Sequence, residues 1–227
     1  MMRSAIGKTV LASLFLVLAA LGGCVELPGQ KEEPPRLYVL TPKSTYEDIA
    51  GRVDWQLLVE TPIAPAGLNT SRIALQDSPI ELRYFIRAHW SDVAPKMVQT
   101  LLVESFENSG GIVGVGRDAI GLRSDFVLKT DMREFQAEYP SSLGQQNGVM
   151  SDSAPAPTVR VRLNAKLVRM PDRVIVATQT FERSVPAGRN AMESIVAAFD
   201  EALGKVLKQV VVWTLTEGKA NANRPAG

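Results

Sequence analysis

One cysteine, Cys24, and one histidine, His89, are all that 227 residues contain of the two side chains most used in metal and redox chemistry. A disulfide within the chain needs two thiols and a multi-histidine zinc site needs two imidazoles, so neither can form here. An excess of charge of one sign is missing too: 25 basic residues face 24 acidic ones. That balance speaks against a nucleic-acid partner, which would call for a clearly basic face. No G-x-S-x-G elbow and no paired-carboxylate motif is present. The chemistry left open is narrow, and none of it marks an enzyme or a cofactor site.

What the chain does have begins at its N-terminus. Arg3 and Lys8 give a positive start, and Thr9 to Leu21 is continuously small or apolar. This is the pattern of a secretory signal. The apolar run is too short to cross a bilayer, which takes roughly 20 residues. Leu21-Gly22-Gly23-Cys24 then places small residues directly before the sole cysteine. That arrangement resembles the bacterial lipobox, in which the cysteine is diacylated and the chain is cut just before it. The resemblance implies removal of residues 1–23, a lipidated Cys24 and otherwise no cofactor. A plain signal peptide with Cys24 incidental is the alternative. One acyl chain binds a membrane only marginally, whereas several make a permanent anchor. Val25, in place of an aspartate after the cysteine, favours export to the outer membrane and a domain that faces the periplasm. Without the leader, 227 less 23 leaves 204 residues, and loss of Arg3 and Lys8 leaves 23 basic against 24 acidic, a net of −1.

Residues 24–36 read as the lipidated cysteine and a flexible tether, since VELPGQKEEPPR is proline-rich and poor in apolar side chains. Residues 37–217 read as one domain and residues 218–227 as a disordered tail. Leu37 to Leu40 is a short strand, and Val53 to Thr61 alternates as a half-buried strand should. Arg72 to Leu75 is a brief strand at most. Glu81 to Trp90 alternates again, with Leu82, Tyr84, Ile86, Ala88 and Trp90 expected in one inward row. Ser91-Asp92 looks like a helix cap with Pro95 in the first turn, and Ser109-Gly110-Gly111 supplies the stop. Ile112 to Gly116 is a short strand or loop. Asp125 to Tyr139 is a long strand whose apolar phase changes near Arg133, as at a bulge. Pro140 to Thr158 reads as a loop. Val159 to Leu167 is the cleanest strand, and the turn Met170-Pro171-Asp172-Arg173 returns the chain along Val174 to Phe181. Asn190 and Glu193 form a capping-box-like pair ahead of a long apolar stripe from Met192 to Val210. The expected architecture is α+β: a single mixed, largely antiparallel sheet with two main helices packed on one face.

Several local patterns invite a site. Gly110 to Gly116 is glycine-rich, but a helix precedes it and none follows, so a helix stop fits better than a phosphate loop. His89 has no marked acid or nucleophile to work with. Arg160, Arg162 and Lys166 share the non-core row of their strand. They are either a solvated face or a basic stripe for an acidic partner or lipid head groups. Trp213, with Val211 and Val212, lies off the stripe of the last helix. These residues either pack beneath the sheet or mark a contact between subunits, as in a homo-oligomer.

The order of elements from about Leu37 to Leu215 resembles the ABC-type transport auxiliary lipoprotein family. The features that carry the likeness are Leu37-Tyr38-Val39-Leu40, Arg72-Ile73-Ala74-Leu75, the tyrosine–tryptophan strand Leu82 to Trp90, Glu104 to Gly110, the strand ending near Glu134-Phe135, the last hairpin and the helix from Asn190. The resemblance implies a fold similar to the N-terminal domain of TolB and a non-catalytic accessory, like paraquat-inducible protein C, of a lipid transporter working between the two membranes. Its partners would be a substrate-binding protein with a mammalian-cell-entry (MCE) domain and the ABC transporter itself. Only Cys24 carries over from the family with a role. Two other readings stay open: an assembly lipoprotein that binds an outer-membrane protein or the cell wall, and a lipid-binding module.

Overall fold

The computed structural model describes residues 34–47, 49, 51–117, 123–140 and 155–222. Its elements in chain order are β1 (Arg36–Tyr38), β2 (Val53–Val59), β3 (Arg72–Ser78), β4 (Glu81–Trp90), α1 (Ala94–Ser109), β5 (Ile112–Arg117), β6 (Phe126–Glu138), β7 (Thr158–Arg169), β8 (Val174–Pro186) and α2 (Met192–Asn221). All eight strands join one sheet.

β6 organises that sheet. Along one edge it pairs antiparallel with β7 from Phe126↔Arg169 to Glu138↔Thr158, and β7 pairs antiparallel with β8. Its other edge is shared by two strands in tandem, both parallel to it. β2 takes Phe126 to Leu128 and β3 takes Gln136 to Glu138. Between them Ile63 bridges Asp131, with its N–H on Thr130 O and its carbonyl receiving Met132 N–H. Two arms therefore leave the same edge, β2–β5 and β3–β4–β1. The sheet is mixed as expected: the long ladders are antiparallel and the short ones, β3–β4 aside, are parallel. The register shift between Met132 and Glu134 is the bulge expected near Arg133. The extra residue lets both Met132 and Phe135 face the core.

α2 packs across β7 and β8 and α1 against β5 and β2, and the two helices touch each other. The core between them and the sheet is one cluster. At its centre Trp90 of β4, Phe135 of β6 and Phe199 of α2 meet, with centroids 5.1–5.6 Å apart. Burying each ring removes a large apolar surface from water, and the tilted geometries suit aromatic quadrupoles. Among the described residues no helix is long and apolar enough to cross a membrane.

Some expectations need correction. Arg72 to Leu75 is part of a seven-residue strand, β3, because it can pair on both sides, with β4 and β6. The inward row of β4 is split: Phe85, Ala88 and Trp90 are buried, while Leu82 and Ile86 are exposed. Arg87 adopts φ +55°, and the ladder slips between Arg72 and Ala74, so the strand changes face there. Neither helix is capped where expected. Val93 and Ala191 are the N-caps, without side-chain bonds. Asp92 instead accepts Val93 N–H at 2.7 Å. Asn190 is buried, where its Oδ1 accepts the Tyr139 hydroxyl at 2.7 Å. Gly110, at φ +62°, ends α1 as expected, and Ile112–Arg117 is a true strand beside β2. β8 continues past Phe181 to Pro186, and α2 past Glu217 to Asn221, so residues 218–221 are helix. The leader, Cys24, most of the tether, most of the 140–158 loop and residues 223–227 lie outside the described residues.

Candidate interaction site

Alternation along β7 sends Val159, Val161, Leu163, Ala165 and Leu167 into the core and Arg160, Arg162, Asn164 and Lys166 to the opposite face. On that face each cation of the row meets a carboxylate from a neighbouring strand. Arg162 pairs with Glu134 of β6, and Lys166 with Asp131 of β6 at 2.9 Å. Arg160 lies 3.2 Å from Glu138 of β6 and 3.7 Å from Glu182 of β8. Gln136 ties two of the acids together, donating to Glu134 at 2.6 Å and Glu138 at 3.1 Å. These side chains are roughly one-quarter to two-fifths exposed, a setting in which an ion pair is worth about 0–1 kcal/mol. The consequence is more for charge than for stability. The row of three cations is met by Asp131, Glu134, Glu138 and Glu182, so the face carries little net positive field.

A different feature lies on the helix side. Between α2 and β8 is an open groove of about 650 Å³, floored by Phe181, Val212 and Trp213 and flanked by Gln179, Arg183, Lys205, Lys208 and Gln209. Phe181 and Trp213 meet edge to face at 5.6 Å. Local structure puts them there. Phe181 belongs to the core-facing row of β8, opposite Leu163. Trp213 follows the buried Val210 and Val211 on α2 and packs, half-buried, against the margin of the core. Lys205 is held by Glu201 one turn before it, at 2.6 Å. β8 pairs only with β7 among the described strands, so the groove runs beside the free edge of the sheet. An apolar floor with cationic flanks next to unpaired main-chain groups suits an extended segment with apolar and acidic side chains.

The remaining candidates are simpler. His89 Nδ1 lies 3.3 Å from Ser71 Oγ across the β3–β4 ladder. Among the described residues no three His, Cys, Asp or Glu side chains are grouped to hold a metal ion. Thus Arg160, Arg162 and Lys166 stand together in an ion-pair ladder, and Trp213 stands apart from them on the other face of the sheet. Sequence reasoning missed Phe181, Arg183, Lys205 and Lys208 as neighbours of Trp213. The signal that could have found them is the pairing of the last hairpin with the last helix, both of which were expected.

A family model described as an ABC-type transport auxiliary lipoprotein component matches residues 38–211. The crystal structure of protein XCC0632 from Xanthomonas campestris is 32% identical, with a TM-score of 0.73 over 83% of this chain and 99% of that one. A second solved structure, of an uncharacterized protein, is 15% identical with a TM-score of 0.58, over 79% of this chain and 97% of that one, and shows the fold alone. An uncharacterized protein of Bradyrhizobium diazoefficiens is 28% identical over 162 residues, which are 70% of this chain and 39% of that relative's length.

Proposed function

Because the chain belongs to the ABC-type transport auxiliary lipoprotein family, we propose that it serves an envelope transporter as a lipid-anchored accessory that binds and does no chemistry. Cys24 carries the lipid, the outer membrane holds the anchor, and the domain faces the periplasm. There it docks an MCE-domain substrate-binding protein and so takes part in moving lipid between the membranes. The observation that carries the docking reading is the contrast between the two faces. The cations of β7 are matched by the protein's own acids, while the groove at Phe181 and Trp213 keeps its apolar floor open beside an unpaired strand edge. The groove therefore offers both main-chain and apolar contacts to a partner.

Co-purification in mild detergent tests this. The unaltered protein should bring down an MCE-domain protein or a transporter subunit. Trp213→Ala and Arg183→Glu should weaken that capture, and Arg162→Gln should leave it intact. Recovery of neither partner by the unaltered chain would count heavily against the proposal. Crosslinking to an outer-membrane barrel or the cell wall instead would favour an assembly role.

A further inference from the structure

Five apolar side chains along the β1–β4 edge are left out of the core. Leu37 and Val39, in and just after β1, are 66% and 67% exposed. On β4 Leu82 is 39% and Ile86 63% exposed, and Ile80, in the turn between β3 and β4, is 95% exposed. The core is complete on this arm without them, through Tyr38, Phe85, Ala88 and Trp90. A run of exposed isoleucine, leucine and valine on a domain with a full core marks a contact surface.

Its position says what it contacts. β1 runs parallel to β4, with Arg36 beside Ala88 and Tyr38 beside Trp90. The main chain therefore enters the domain from the side of Ile86 and of the β3–β4 turn. Eight residues separate Ala88 from Ile80, about 26 Å of strand. Twelve residues separate Cys24 from Arg36, about 40 Å when extended. A surface that holds Cys24 can thus also receive Ile80 without a fully stretched tether. We propose that this stripe is a second, non-covalent contact with the lipid bilayer, with Ile80 at the depth of the acyl boundary. The proposal rests on the reading of Cys24 as the lipid anchor. A convex turn with an isoleucine at its apex needs no shaped pocket in a fluid phase, whereas a protein partner would have to supply one. Once the anchor is seated, the contact is intramolecular, so a few side chains suffice to orient the domain. β8 lies at the other end of the sheet from β1, so the groove at Phe181 and Trp213 would face away from the membrane.

The test uses the full mature lipoprotein in vesicles of phosphatidylethanolamine and phosphatidylglycerol. Cys24 is the chain's sole cysteine, so the unaltered protein should take up no maleimide dye and should float with the vesicles. Ile80→Cys and Thr178→Cys, the latter on β8, each add one free thiol. Dye at position 80 should shift to the blue and be quenched by doxyl-labelled lipid; dye at position 178 should do neither. A floating protein whose position-80 dye stays in water overturns the bilayer contact and leaves the anchor standing. Shielding at position 80 that doxyl lipid does not quench assigns the stripe to a protein partner or a second copy and also overturns it. Dye uptake by Cys24 together with failure to float overturns the anchor, and the bilayer contact with it.

Discussion

Gly218 of α2 lies directly against the indole of Trp55 on β2: a Cβ added to the glycine would come within 2.8 Å of Trp55 Cη2 and 3.0 Å of Cε2. This close approach locks the far end of α2 to the β2–β5 arm. Trp55 also meets Phe126, edge to face at 4.9 Å. The helix therefore passes the point expected as its end because its last turns are packed. Gly218→Ala should destabilise the fold by about 1–3 kcal/mol, the usual cost of overpacking a core. Thermal unfolding followed by circular dichroism reads this as a lower Tm.

Gly204 sits in the same helix with nothing within 4 Å of an added Cβ. It costs α2 roughly 1 kcal/mol relative to alanine. Gly204→Ala should therefore raise Tm, opposite in sign to Gly218→Ala. Equal effects of the two substitutions would show that close approach to Trp55 is not what requires glycine at 218.

How far the amino-acid sequence foretells this fold depends on how strongly each residue's face is constrained. β7 reads cleanly because apolar and polar side chains alternate without exception from Val159 to Leu167, and only one phase buries the apolar set. The stripe of α2 reads equally well. In β4 the alternation points to Leu82, Tyr84, Ile86, Ala88 and Trp90 as the inward row, yet the core takes Phe85 from the opposite phase together with Ala88 and Trp90. The positive φ of Arg87 makes that switch, through backbone geometry that no side-chain pattern announces. The ion-pair ladder was hidden for a related reason. Its acids are some thirty residues away, and the bulge at Arg133 shifts Glu134 and Glu138 onto the face of Arg160 and Arg162. Asn190 has the chemistry of a cap, but burial beside Tyr139 offers it a partner elsewhere.

That buried bond makes its own prediction. Tyr139→Phe removes the donor that Asn190 Oδ1 receives at 2.7 Å in a site away from water. Leaving a buried acceptor short of its partner costs about 1–3 kcal/mol. Urea unfolding should show a lower midpoint with an unchanged slope. Adding Asn190→Ala to Tyr139→Phe should cost less than the sum of the two single changes.

The pair Arg162–Glu134 should behave differently, because its side chains are 34% and 24% exposed. A double-mutant cycle with Arg162→Ala and Glu134→Ala should give a coupling of no more than about 1 kcal/mol, reduced by salt. A much larger coupling would mean that the ladder holds the sheet together; a small one means that it sets charge and register.

Tyr46 supplies a test by pH. Burial pushes its phenol up from 10.0 to about 12, against a smaller opposing pull from the Ser105 hydroxyl. The folded protein thus binds the phenolic proton more tightly than the unfolded chain does. The stability from this difference is present in full below pH 10 and is lost as pH rises from 10 toward 12. Tyrosinate absorbance during an alkaline titration should therefore show a late component, and Tyr46→Phe should remove it. The same substitution should flatten the fall of Tm between pH 10 and 12 relative to the unaltered chain. A titration in which Tyr46→Phe removes an early component instead would place that phenol in water and break the contact inferred between the chain at Tyr46 and the core.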